Sequence, residues 1–318
     1  SANHPVEFYI YDIKNKQLSY LLNASPWLKA EQLAQTQAIF YKSRDGLDIH
    51  AILTLPNNKE AKNLPLIMLP HGGPHGPRDY LDYDSDAKVL AQHGYAVLQP
   101  NFRGSGGFGR SFLQAGYQNW GTTMIDDMTD GVLHLVKEGI VDQNRVCAYG
   151  GSYGGYASAW AATKQTEHFA ASVMFVGISN NLSKFGTTDI ANEMHLVHAR
   201  SYPWQKWQWY LERSPIYHAE QAKTPILIMH GKEDTRVHPS QSMELYRYLK
   251  THGKVPVRLV LYPGEGHGNQ KAAAQLDYGM RLMRWMDHFL KQGNKDLPPH
   301  ELPHADNIKA ATKEKDAA

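Results

Sequence analysis

Six short apolar runs constrain what this chain can fold into more than any other feature. They are PLIMLP at 65–70, YAVLQP at 95–100, RVCAYG at 145–150, ASVMFVG at 171–177, PILIMHG at 225–231 and VRLVLYP at 257–263. A strand covered on both faces reads as a nearly continuous apolar stretch, whereas a strand with one wet face alternates. Helical patterns separate the runs, at about 85–93, 122–139, 153–164, 239–252 and 271–292. Two further segments, QAIFYKS and LDIHAILTLP, read as an antiparallel pair that begins near residue 37. The βαβα order predicts an α/β fold: a mainly parallel, eight-stranded, doubly wound sheet with helices on both faces. With 318 residues, 42% of them hydrophobic, the chain is long enough to bury such a core.

Three segments follow from this pattern. Residues 37–293 form the expected α/β unit. Residues 1–36 hold a small hairpin at 7–22, turning at Asn15-Lys16 and too small to stand alone. Residues 294–318, rich in Lys, Asp, Pro and Ala, are expected to be a flexible tail. The formal net charge is only +2, which gives no excess to recruit nucleic acid or an anionic membrane. One cysteine, Cys147, excludes an intrachain disulfide and a thiolate metal cluster, and no apolar run is long enough for a membrane span. The start, Ser1-Ala2-Asn3, has neither an initiator Met nor the plan of a signal peptide, so an excised or processed, soluble piece is expected. Cytoplasm and periplasm both stay open as its compartment, and a homo-oligomer stays open as its state.

In a sheet of this kind ligands collect beyond the carboxyl ends of the strands. There lies AYGGSYGGYASAW at 148–160, in which Gly150, Gly151, Gly154 and Gly155 surround Ser152. The pattern G-x-S-x-G between a strand and a small-residue helix is the setting in which a sharp turn exposes a serine on a strained backbone. A phosphate-binding loop would need Gly-Lys-Ser/Thr before its helix, and that is absent. A serine hydroxyl attacks at neutral pH only when a base takes its proton and a carboxylate orients the base. HGKEDTRV, after the strand at 225–231, offers Glu233 and Asp234 as the carboxylate, and GEGHG, after the strand at 257–263, offers His267 as the base. Ser, then Asp or Glu, then His is the chain order of α/β-hydrolases. The developing oxyanion needs two donors, expected to be the amide of Tyr153 and an amide of HGGPHG at 71–76, Gly73 first and Gly72 in reserve. His71 is expected to hold that loop rather than transfer protons.

HGGP, NFRGSGGFG at 101–109, GGSYGGY at 150–156, GKEDTRV at 231–237 and GEGHG at 264–268 together resemble the catalytic domain of the prolyl oligopeptidase family, nearest its acylaminoacyl-peptidase and dipeptidyl-peptidase branches. The resemblance runs from about residue 37 to 292. It implies the α/β-hydrolase fold, short peptides as substrates, no cofactor and no metal, and a preceding β-propeller of which the 7–22 hairpin is similar to a last fragment. It further implies Ser152 as nucleophile, Asp234 rather than Glu233 as orienting acid, His267 as base, and Tyr153 and Gly73 as oxyanion amides. Tyr153, Tyr156 and Val237 match apolar lining positions of the substrate pocket, with Phe185 expected to join them; core packing is the other reading of Tyr156 and Phe185. Asn181 stands where many relatives carry an aromatic, which implies a roomier or more polar pocket. Arg103 is read either as a grip on substrate or as a loop-stabilising ion pair. An esterase or lactone hydrolase using the same machinery, and a catalytically silent binding module, are the alternative functions.

Other features have plainer readings. Trp204, Trp207 and Trp209 are expected in the core or at a subunit contact. His195 with His198, and His300 with His304, lack the further ligands of a metal motif. Asp126, Asp127 and Asp130 read as acids opening a helix, favoured by its dipole.

Overall fold

The computed structural model describes residues 2, 4–29, 31, 33–57 and 59–302. Strands β1 (Glu7–Asp12) and β2 (Gln17–Asn23) pair antiparallel as a sheet of their own. Next in the chain come β3 (Gln35–Lys42), β4 (Asp48–Leu55), β5 (Leu64–Met68), β6 (Ala96–Asn101), β7 (Val141–Gly151), β8 (Ala171–Phe175), β9 (Ile226–Gly231) and β10 (Val257–Tyr262). These make one eight-stranded sheet ordered β10-β9-β8-β7-β5-β6-β4-β3. All neighbours are parallel except β3 with β4 and β4 with β6. The mainly parallel, eight-stranded sheet expected from the apolar runs is therefore the one adopted, and it is the α/β-hydrolase fold that the resemblance implied. Its helices are α1 (Ser85–Gln92), α2 (Arg110–Ala115), α3 (Thr123–Lys137), α4 (Tyr153–Thr163), α5 (Asn181–Thr187), α6 (Ala191–Glu193), α7 (Trp207–Glu212), α8 (Ser240–His252) and α9 (Ala272–Met286). None of the described helices is long and apolar enough to cross a membrane.

Continuous apolar strands are explained by the two cores they feed. Side chains alternate across a strand, so Val146 and Ala148 of β7 enter one core with α3 and α4, while Cys147 and Tyr149 enter the other with α1 and α9. The strand order reverses between β5 and β7. Loops leaving those two strands diverge, which opens a crevice at the carboxyl edge of the sheet.

Several expectations need correction. Between β8 and β9 the sequence pattern assigns no element, yet α5, α6, a π-helical turn at Met194–His198, α7 and a 3-10 helix at Pro215–Gln221 all lie there. Each is at most seven residues long, too short for a hydrophobic period to emerge. Trp204 and Trp207 are 70% and 57% exposed rather than core. Only Asp126 lies in the first turn of α3; Asp127 and Asp130 bind Arg103 and Arg44 instead. The tail is docked as far as residue 302, because Arg258 donates to the carbonyls of Pro298 and Pro299 and Arg281 to that of His300. His304 and the rest of the tail lie outside the described residues.

Candidate active site

Strand β7 runs into Ser152, and α4 starts one residue later. Ser152 sits at φ 58° and ψ −118°, a left-handed conformation that strains any residue with a β-carbon. The strain is held by hydrogen bonds on either side: Ser152 N–H donates to the Phe175 carbonyl (3.0 Å), and Tyr156 N–H to the Ser152 carbonyl (2.9 Å). Gly155 is required by close approach, since a β-carbon there would lie 2.7 Å from the Gly177 Cα. The turn thus presents the hydroxyl while strand and helix pack without a gap.

The loop after β5 lies directly against this serine. A β-carbon on Gly72 would sit 3.3 Å from that of Ser152. Gly73 has φ 117°, accessible in practice only to glycine. His71 anchors the loop from behind: its Nδ1–H donates to the Gly72 carbonyl (2.7 Å), so its Nε2 accepts from the Ser105 hydroxyl (2.8 Å). The ring stacks on Phe102, and burial pushes its pKa down to about 4. It is a neutral strut, as the sequence implied. On the other side of Ser152, the Tyr153 amide is the first of α4, a position without an intrahelical acceptor and at the positive end of the helix dipole.

The carboxylate and the imidazole come from the loops after β9 and β10. Asp234, 2% exposed, accepts from the amides of Arg236 and Val237 (2.9 Å each) on Oδ1 and from His267 Nδ1 (2.7 Å) on Oδ2. Burial alone would raise this carboxyl, but hydrogen bonds from His230, His267 and the Val237 amide hold it well below the usual carboxylate range. Glu233, the other candidate, is exposed and accepts instead from the Gly264 amide (3.0 Å), so it braces the histidine loop. That loop is further closed by Glu265, 1% exposed, which accepts from the amides of Gln270 (2.7 Å) and Lys271 (3.1 Å). With Nδ1–H directed to Asp234, Nε2 is the nitrogen of the His267 ring that can accept a proton.

Ser152 and His267 line one cleft of about 380 Å³, together with Gly73 and Val237. A larger hollow of about 680 Å³ beside α1 and α9 includes neither Ser152 nor His267. Sequence reasoning missed His230, at the end of β9 and fully buried. Its Nε2–H donates to the Val237 carbonyl (2.7 Å) and lies 3.2 Å from Asp234 Oδ2, while Ser242 Oγ sits 2.6 Å from Nδ1. A polar residue inside an otherwise apolar strand was the available signal.

Four of the residues expected to contact substrate lie elsewhere. Arg103 is engaged as an ion pair, donating from Nε and Nη2 to Asp127 (2.8 and 2.7 Å) and from Nη1 and Nη2 to Asp45 (2.7 and 2.8 Å). Tyr156 is fully buried in the core, stacked on Tyr153, with its hydroxyl on the Arg213 carbonyl (2.9 Å). Asn181 is also fully buried and tethers the same Arg213 carbonyl (2.6 Å). Phe185 packs on the cluster of Met194, Ala199 and Tyr210. Tyr153 likewise buries its ring completely, so its amide alone is available to the cleft.

Known proteins resemble this chain in sequence and in fold. The model of the prolyl oligopeptidase family matches residues 81–293. Dipeptidyl aminopeptidase BIII of Pseudoxanthomonas mexicana is 37% identical over 284 residues, which cover 84% of this chain and 40% of that protein. The acylamino-acid-releasing enzyme of Sus scrofa is 36% identical over 250 residues, covering 76% of this chain and 34% of that one. Among solved structures, the acylaminoacyl peptidase of Pyrococcus horikoshii superposes with a TM-score of 0.81 at 26% identity, over 95% of this chain and 48% of that one. The chain spans less than half the length of each of these relatives.

Proposed function

Because the chain belongs to the prolyl oligopeptidase family, we propose that it is a serine peptidase hydrolysing short peptides, in the manner of an acylaminoacyl-peptidase or a dipeptidyl-peptidase. His267 Nε2 takes the Ser152 proton as Oγ attacks the scissile carbonyl, and Asp234 stabilises the imidazolium that forms. The amides of Tyr153 and Gly73 hold the oxyanion. His267 then protonates the leaving amine, and a water deprotonated by the same ring releases the acyl group from Ser152. The observation that carries this reading is that Ser152 and His267 line one cleft while His267 Nδ1 is bonded to an ionised, buried Asp234 at 2.7 Å.

The triad alone does not separate amide from ester substrates. Turnover of peptide anilides and of simple acyl esters should therefore be compared. Cleavage of both supports the peptidase, cleavage of esters alone supports the esterase, and cleavage of neither leaves the silent module. The hairpin of β1 and β2 carries exposed Phe8, Ile10, Tyr11, Leu18 and Leu22. We assign it to the last blade of a preceding β-propeller, as the family likeness implies, with residues 37–293 as the catalytic domain. A longer chain that includes the preceding segment should slow hydrogen exchange in the hairpin amides, and unchanged exchange would contradict the assignment.

A further inference from the structure

The cleft beside Ser152 is lined by two buried donors without a strong acceptor, Lys184 and Trp120, and by His75, whose buried Nε2 also has no hydrogen-bond partner. Lys184, on α5, is 2% exposed and lines the cleft. Among the described residues its ammonium has one hydrogen-bond partner, the Met194 sulfur at 3.5 Å, and no carboxylate within ion-pair distance. A thioether is a weak acceptor. A buried charge without a counter-charge is costly, and natural proteins seldom keep one without a use for it. Trp120 also lines the cleft, is 1% exposed, and has an indole N–H with no partner. Each orphaned donor forfeits a hydrogen bond it would make in water.

The charges around the cleft decide what these donors await. Glu193 also lines it, but its side chain is 53% exposed and lies 3.7 Å from His198 Nε2. Arg236 is tied to Asp189 at 2.6 Å. Solvent therefore screens the acid, and the drier position holds the cation. A substrate group with two acceptor oxygens and a negative charge supplies what both donors lack, a counter-charge for Lys184 and an acceptor for Trp120. Val237 and Ile178 add apolar wall for the aliphatic part of such a side chain.

We propose that this cleft is a specificity pocket for an acidic side chain, aspartate or glutamate, with Lys184 and the Trp120 indole as its carboxylate donors. The proposal names the substrate class of the peptidase reading above and rests on that reading for its link to cleavage. It is testable by binding alone. Calorimetry with N-acetyl-glutamic acid α-amide, N-acetyl-glutamine amide, N-acetyl-leucine amide and N-acetyl-lysine amide separates the acid from its neutral isostere, an apolar chain and a base. The acid should bind about tenfold to hundredfold more tightly than its glutamine isostere, the range expected for a hydrogen bond to a charged donor. In Lys184→Met, and equally in Lys184→Gln, that ratio should fall to about one while leucine amide binding is kept. Glutamine, leucine or lysine amides binding as tightly as the acid would overturn the proposal, as would a preference that survives either substitution. The ranking in the unsubstituted chain stands even where a variant fails to fold. Acid-selective binding without cleavage of any anilide would sink the peptidase reading and leave the pocket standing; cleavage without acid preference would do the reverse.

Discussion

Ser152 stands between two regions that handle polar groups in opposite ways. On one side the acid and the base are tied in advance: Asp234 accepts from His267 Nδ1 at 2.7 Å and from two backbone amides, and His230 Nε2 lies 3.2 Å from its Oδ2. On the other side, the Lys184 ammonium bonds only to a thioether and the Trp120 indole N–H has no hydrogen-bond partner. A catalytic group must have its proton and orientation fixed in advance, because reorganisation during the reaction raises the barrier. A recognition group gains most when the ligand supplies its missing partner. In the proposed reading, the paired polar groups serve the chemistry and the unpaired ones the selection within one cleft.

The strongest way to break this comparison is on the paired side. Ser152→Ala should lower kcat by about 10⁶-fold, leaving only the contribution of binding and oxyanion amides. Its melting temperature should not fall, since alanine removes only a hydroxyl; steady-state turnover within tenfold of the parent would refute the nucleophile. Asp234→Asn should cost about 10⁴-fold in kcat through the wrong imidazole tautomer. Arg103→Ala tests whether a buried pair outside both regions is structural. Leaving Asp127 buried and unpaired should cost about 3–5 kcal/mol of stability, read by urea denaturation, with unaltered substrate ranking; a changed ranking would return Arg103 to the binding site.

Two smaller effects sharpen the contrast. His230→Gln should lower kcat by about tenfold with KM nearly unchanged, because Asp234 keeps its amides but loses one support. A change in KM alone would place His230 on the recognition side. Lys184 has its pKa pushed down to about 8 by burial, an effect that Glu193 and Asp189 oppose and Arg236 reinforces. Below that pH the ammonium is charged, and above it the charge is lost. The preference for the acid over its glutamine isostere should therefore fade as pH rises through about 8, and a preference constant to pH 10 would contradict the role of Lys184.

How much of this was legible in the sequence follows the same division. The turn at Ser152 depends on backbone strain and close approach, which only certain residue types allow, so glycines such as Gly155 announce it. The sheet was legible because strands buried on both faces must be apolar along their length. Asp234 and Glu233 look alike along the chain, and only the resemblance chose Asp234; in the fold the Arg236 and Val237 amides donate to Asp234, whereas Glu233 accepts from the Gly264 amide. The pocket was illegible because it hangs on the segment between β8 and β9, whose short helices have no period. There Asn181 and Phe185 turn inward to pack, while Lys184, a residue normally wet, lines the cleft. Burial of a lysine has no signature along the chain.

The account rests on Ser152 being the one activated hydroxyl of this molecule. Labelling the intact protein with a fluorophosphonate and locating the adduct by peptide mass spectrometry tests that most directly. The prediction is a single phosphonylated residue, Ser152, whose labelling slows by orders of magnitude in His267→Ala. An adduct on another residue, or labelling of Ser152 that proceeds at full rate without His267, would contradict it.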